Sequence, residues 1–452
     1  FNLYKRCVHS VLSVTKGENF KMANNVKEKK NDLDVIGFWK AQQPAWKITV
    51  YRTSMERLVY KAVLPYLTLY IVLMGATKSQ IGTVTAMGTL VAAIMAPFLG
   101  SYIDINGPKK MYILGIVVLL LGYIALWGAP VWQIAALGMF LHTMGGTLGG
   151  QSCANICGNC LESCDRAKGM LVCETFAAGV LGMVGPAFAG WFLINIMGVE
   201  GTPTDPLTIK PLFLFCVAIT FLSLLMIIFK LDVSHLGSKG KARAKRNPIK
   251  DAFALMKADK NCMKWMIMTG VNRMPMVMIV PYLQLYAAEA KGATTGELAA
   301  MTTATALTSV VCGYFFGILA DKYGRKKTLT FAIVAYIAAL VLLLTSKGTG
   351  TLIIVGLLVG FQEIGAVING SIQHELVPGW ARGRWSGSNG MVGSLVASIF
   401  AYAAGIIYDG VGPQWLFIIY IVAEVAIRLP LLWTLPETLN YKVDESKFEH
   451  LL

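Results

Sequence analysis

Pro65-Tyr66-Leu67-Thr68-Leu69-Tyr70 returns about 216 residues later as Pro281-Tyr282-Leu283-Gln284-Leu285-Tyr286. The order persists outward from this hexapeptide. Gly75-Ala76-Thr77 is answered by Gly292-Ala293-Thr294, and Asp104, within Gly100 to Lys110, by Asp321, within Gly317 to Lys327. Several collinear matches at one spacing mean an internal duplication, and a parallel repeat is a recurring plan of helical membrane proteins.

The composition agrees. Of 452 residues, 55% are hydrophobic and 14% charged, whereas soluble domains carry about a quarter charged residues. A helix needs roughly 20 apolar residues to cross a ~30 Å hydrocarbon core. Such runs recur at 48–74, 81–103, 111–127, 132–158, 171–197 and 211–230, then at 265–288, 298–319, 328–344, 352–373, 385–408 and 415–435. The expectation is an all-α membrane protein of about twelve transmembrane helices in two six-helix bundles, 48–230 and 265–435.

The net charge of +15 would suggest nucleic acid in a soluble protein. Here the cations cluster in short loops between alternate spans: Lys109, Lys110, Arg166, Lys168, Lys322, Arg325, Lys326, Lys327, Arg382 and Arg384. The opposite loops carry Glu200, Asp205, Glu289 and Asp409 with few cations. By the positive-inside rule the basic loops and both termini face the cytoplasm, in a multi-pass inner-membrane protein, and no nucleic acid is expected as a partner. The basic stretch 231–264, with Lys239, Lys241, Arg243, Lys245 and Arg246, reads as a cytoplasmic linker, and 436–452 as a cytoplasmic tail. Segment 1–47 is polar and lacks the apolar core of a secretory signal. Lys16-Gly17-Glu18 is what a ribosome-binding sequence AAAGGAGAA would encode, which predicts a true start at Met22.

In Gly317-Ile318-Leu319-Ala320-Asp321-Lys322-Tyr323-Gly324-Arg325-Lys326-Lys327, glycine closes a helix and opens a tight turn, with an aspartate among cations at the membrane surface. The segment resembles the signature loop of the major facilitator superfamily and falls between spans eight and nine, where that family repeats it. The first-half copy keeps Gly100, Asp104, Gly107, Lys109 and Lys110 but has Ile105 and Pro108 where the family prefers cations. The resemblance extends from about Tyr51 to Glu437, including Pro436-Glu437-Thr438. It implies a central cavity lined by spans one, four, seven and ten. It also implies a conformational latch at Gly100, Asp104, Gly107, Gly317, Asp321, Gly324, Arg325 and Lys326; a plain topological charge anchor is the alternative. Span five, with Gly179, Gly182, Gly185-Pro186 and Gly190, is similar to the antiporter motif of the family, although Ala189 replaces a glycine; small-residue helix packing explains the pattern equally well.

Charges at membrane depth are expensive, so each is a functional hypothesis. Arg57 and Arg273 each lie eight residues before their copy of the repeated proline, which places two guanidiniums at equivalent positions on spans one and seven. Paired planar forks suit a carboxylate or phosphate, and the pair resembles the arginines of organophosphate antiporters in this superfamily. Local pairing, Arg57 with Glu56, is the alternative. Lys61 stands one turn beyond Arg57, and Asn272, Gln362 and His142 complete the expected substrate-binding set. Glu363, with Glu56 behind it, is the candidate proton-coupling carboxylate; a structural pairing of Glu363 with Arg273 competes. Glu424 and Arg428, at i and i+4, are spaced for an internal ion pair.

Nine cysteines fall mostly in or beside spans and form no disulfide framework. Cys153, Cys157, Cys160 and Cys164 recur at helical spacing, yet on one straight helix the outer two stand about 16 Å apart, while sulfurs sharing zinc at ~2.3 Å lie within ~4 Å. A second helix would have to contribute, so no metal is expected. The chain carries no Gly-Lys-Ser/Thr phosphate loop, so no nucleotide or other cofactor is expected. The sequence thus reads as a monomeric, non-enzymatic secondary transporter working by alternating access. Protons are the expected driving ion and a small organic anion the expected substrate. A proton-coupled drug efflux antiporter is the alternative, and a non-transporting nutrient sensor on the same fold a more distant one.

Overall fold

The computed structural model describes residues 35–106, 108–160, 173, 178–232, 248–378, 382–439, 441 and 443–451. The expected start at Met22, Gly107 of the latch, residues 233–247 of the linker, Cys164, Arg166, Lys168 and the beginning of span five lie outside them.

The first half contains α1 (Val35–Ala41), α2 (Pro44–Leu73), α3 (Lys78–Asn106), α4 (Pro108–Gly128), α5 (Trp132–Cys160), α6 (Ala178–Asn195) and α7 (Pro206–Lys230). The second contains α8 (Pro248–Ala258), α9 (Lys260–Met274), α10 (Val280–Lys291), α11 (Thr295–Tyr323), α12 (Arg325–Thr345), α13 (Leu352–Glu375), α14 (Arg382–Gly410), α15 (Gln414–Ala423) and α16 (Leu429–Thr434). A π turn, Pro275–Ile279, joins α9 to α10, and another, Glu424–Arg428, joins α15 to α16, so each pair makes one rod.

Local chemistry sets the ends. Asp205 accepts from the Leu207 amide at 2.8 Å to start α7. Thr294 and Glu297 form a reciprocal capping box at α11, which satisfies two otherwise orphaned donors. Gly292 ends α10 at φ +70°, a conformation that costs glycine little.

Seven described helices are long and apolar enough to cross a membrane by length and composition. Helix α2, with 30 residues, misses that standard because Arg52, Glu56, Arg57 and Lys61 crowd its first two thirds, and α9–α10 because polar residues and a π turn interrupt it. The interruptions mark where the interior is polar.

Within each half, glycines let backbones touch: a Cβ on Gly185 would stand 2.5 Å from the Leu58 carbonyl of α2, and one on Gly145 of α5 would stand 2.6 Å from the Leu119 amide of α4. The halves meet along α3 against α14 and α6 against α11. A Cβ on Gly405 of α14 would lie 2.6 Å from the Lys78 carbonyl, and one on Gly190 of α6 would lie 2.6 Å from the Ala299 methyl.

Polar contacts between the halves concentrate at the end opposite the termini. Lys78 pairs with Glu289 at 3.1 Å, Tyr408 donates to Glu289 at 3.0 Å, and the amide and hydroxyl of Ser79 both donate to Asp409 at 2.7 Å. Tyr66 reaches the Thr295 carbonyl at 3.1 Å, and Thr202 the Ala293 carbonyl at 2.8 Å. This end is shut. At the other end, Lys447 of the tail meets Asp259 at the cap of α9, 3.2 Å away, and that carboxylate raises the ammonium above its ordinary range.

Candidate functional site

Lys61 of α2 and Glu363 of α13 form an ion pair between the two halves. Arg57, one turn before Lys61, lies within electrostatic range of the same carboxylate, and the Ser309 hydroxyl of α11 stands near it. The lysine side chain is 11% exposed and the glutamate 34%, so the carboxylate stays open to an aqueous or ligand-filled space while the ammonium is enclosed. Helix α6 runs alongside: a Cβ on Gly182 would lie 3.6 Å from the Lys61 stem, an ordinary packing distance.

An aromatic wall adjoins these charges. The His142 ring of α5 stacks on Tyr60 of α2 with centroids 5.5 Å apart and meets Tyr123 of α4 edge-on at 5.4 Å. Tyr60 lies within electrostatic range of both Arg57 and Glu363. Cations, one carboxylate and aromatic faces therefore share one neighbourhood, which can hold an amphiphilic molecule by stacking and by charge at once.

The expected residues divide accordingly. Arg57, Lys61, His142 and Glu363 come together. Arg273, in the last turn of α9, is exposed and lies against α14, where a Cβ on Gly393 would stand 2.9 Å from its Nε. No ion pair involves it among the described residues, and Glu363, its partner in the competing structural reading, pairs with Lys61 instead. Asn272 and Gln362 are half-buried. Glu56 pairs with Arg52, one turn back, rather than with neighbouring Arg57.

Arg52 escaped the sequence reading. Its guanidinium is 2% exposed, lies 4.8 Å from the centre of the Tyr112 ring, and fills the space that a side chain on Gly149 would need, 2.7 Å from Nη2. The signal available was Glu56 at i+4. Lys78 and Ser79, which bridge the halves, were also missed, although Glu289 and Asp409 had stood out as anions facing few cations.

At the signature loop, the side chains of Asp104 and Asp321 lie outside the described residues. The remainder works within the second half. Gly324 turns at φ +107°, the Glu437 carboxylate accepts from the Arg325 amide at 2.9 Å and the Lys326 amide at 3.3 Å, and Arg325 pairs with Glu375 of α13. Lys326 donates to the Trp433 and Leu435 carbonyls at 3.0 and 2.5 Å. Gly185, Pro186 and Gly190 lie in α6 at its contacts with α2 and α11. Glu424 and Arg428 form the internal pair their spacing allowed, at 2.7 Å, with Tyr420 donating to the same oxygen at 2.6 Å.

Among solved structures, the chain is similar to a variant of the nucleoside transporter NupG, with a TM-score of 0.68 at 14% identity over 87% of this chain and 100% of that one. It also resembles a POT family transporter in complex with a thioalcohol-conjugated peptide, with a TM-score of 0.65 at 16% identity over 86% and 95%. These show the fold. Among curated proteins it is 25% identical over 301 residues to the multidrug resistance protein MdtG of Rahnella sp., covering 63% of this chain and 66% of that one. To the protein of the same name from Salmonella schwarzengrund it is 24% identical over 300 residues, covering 62% and 68%. The chain thus spans about two thirds of the length of these relatives. The sequence model of the Major Facilitator Superfamily matches residues 53–271 and 265–450, one match to each copy of the repeat, and this multi-pass membrane protein belongs to that superfamily.

Proposed function

We propose that this protein is a proton-driven exporter of amphiphilic, drug-like molecules, working by alternating access in the inner membrane with both termini cytoplasmic. The observation that carries the reading is the Lys61–Glu363 pair, which ties one half to the other at membrane depth through a carboxylate that remains a third open. A proton on Glu363 discharges the pair and loosens that tie. An ionised Glu363 restores it, so proton occupancy and the relative position of the halves are linked. With the end opposite the termini shut, the state described is the one that loads from the cytoplasm. The half-buried rings of Tyr60 and His142, backed by buried Tyr123, suit flat apolar ligands, and the multidrug resistance names of the relatives favour this reading over a small organic anion.

A second reading keeps the anion. Arg57 and the exposed Arg273, which has no ion pair among the described residues, supply cations in excess of the single carboxylate. Proteoliposomes under an imposed pH gradient separate the two, with a cationic dye such as rhodamine 6G in one arm and a labelled dicarboxylate in the other. Dye movement lost in Glu363→Gln and kept in Arg273→Ala supports export of amphiphiles. Dicarboxylate movement lost in Arg273→Ala supports the anion. Dye movement at full rate in Glu363→Gln, with its pH dependence intact, overturns the coupling proposal.

A further inference from the structure

Three cysteine thiols, Cys153 and Cys157 of α5 and Cys173 beyond it, have their sulfurs all within 4.8 Å of one another. Cys153 stands between the other two, within hydrogen-bonding reach of both, and Cys157 in turn reaches Cys173. The three are 4%, 3% and 0% exposed, and they sit inside an apolar cluster that includes Trp46, Val50, Tyr112 and Ile156. This cluster lies at the termini-proximal end of the first half, in one bundle rather than between the two. Cys160, one turn along α5, belongs to the same apolar cluster but not to the thiol group.

We propose that Cys153, Cys157 and Cys173 form a binding site for a soft, thiophilic monovalent ion of the copper(I) type. The spacing fits: at a metal–thiolate length of ~2.3 Å, two sulfurs sharing an ion are ~4.6 Å apart when linear and three are ~4.0 Å apart when trigonal. Thiolates select soft ions over hard ones, and no carboxylate or imidazole joins the three sulfurs among the described residues, whereas calcium and magnesium need oxygen ligands. Two thiolates and one such ion carry a net charge of −1, and the buried Arg52 guanidinium, itself paired with Glu56, lies within electrostatic range of Cys153. Its Nη2 has no hydrogen-bond partner among the described residues. Thr53 places its hydroxyl 3.6 Å from the Cys153 sulfur, a further dipole available to a thiolate. On binding, each ligating thiol releases its proton to solvent and forms a metal–sulfur bond; the ion keeps its oxidation state.

The objection raised by helical spacing applied to four cysteines on one helix. Two of them one turn apart, joined by a third from outside that helix, escape it.

The test uses the full chain in detergent, reduced with a phosphine and titrated anaerobically with copper(I) held by a chromophoric competitor such as bicinchoninate. The expected result is roughly one copper(I) per chain taken from the competitor. That ion is lost in Cys157→Ser and in Cys173→Ser, and retained in Cys312→Ser, which alters a thiol outside the cluster. X-ray absorption on the loaded wild-type chain should show two or three sulfur neighbours at about 2.3 Å, a readout that needs no variant to fold. Copper uptake unchanged in both cluster variants, no uptake by the wild type, or nitrogen and oxygen neighbours in place of sulfur overturns the proposal.

Discussion

A charge placed below the membrane surface has to be held by something, and Arg52 shows how completely. Its guanidinium is 2% exposed, it pairs with Glu56 and it lies over the Tyr112 ring. Removing one member of a buried pair strands the other, which typically costs about 3 kcal/mol or more. Glu56→Gln should therefore lower stability by about 3 kcal/mol, read as a large fall in the thermal midpoint of the detergent-solubilised protein. Gln at that position can still accept a hydrogen bond, so a midpoint equal to the wild type would mean that Arg52 finds its counter-charge elsewhere. Glu363 behaves differently. Its partner comes from the other half, so its substitution should alter transport more than stability. Arg57 and Lys61 were legible as one helix face because i and i+4 residues align. Which carboxylate they meet was not, because that depends on where α13 is carried.

Helices in this molecule approach through glycine. Gly185 of α6 is the sharpest case in the first half, since a Cβ there would stand 2.5 Å from the Leu58 carbonyl, a backbone atom that cannot rotate away. Gly185→Leu should force α6 away from α2 and cost roughly 1–3 kcal/mol as overpacking. Gly150, where a Cβ would meet nothing within 4 Å, provides the control: Gly150→Ala should leave the thermal midpoint close to the wild type. If both variants melt alike, the close α2–α6 contact does not hold the bundle. Sequence reading found this glycine row and the proline beside it, but it also allowed an exchange-specific motif. The structure shows α6 touching α2 within its own half and α11 across the boundary, contacts that small residues permit.

At the scale of the whole molecule, one end is shut by a small set of contacts between halves. Lys78–Glu289 spans 3.1 Å, with the two side chains 24% and 36% exposed, and a pair so open contributes at most about 1 kcal/mol. Deleting it should therefore shift the balance between closed and open gates by up to about fivefold rather than unfold the protein. Spin labels at Leu207→Cys and Val411→Cys, exposed positions on opposite halves at the gated end, should report a larger population at long distance when Lys78→Ala is added. Asp409→Ala removes the acceptor of both Ser79 bonds and should push in the same direction. An unchanged distance distribution in the combined variant would show that the apolar contact of α3 with α14 closes the gate without these charges.

The repeat, the twelve-span pattern, the superfamily signature and the Arg57–Lys61 helix face were all present in the order of residues, because each is a local or periodic property: hydrophobic length, i and i+4 spacing, and recurrence at a fixed interval. Only the tertiary structure decided the partners. Whether Glu363 meets Lys61 or Arg273, and whether two cysteines on α5 gain a third from beyond it, are set by rotations and crossings of helices distant in the chain. No spacing along a single helix encodes those, since a contact across an interface depends on the packing of both of its sides.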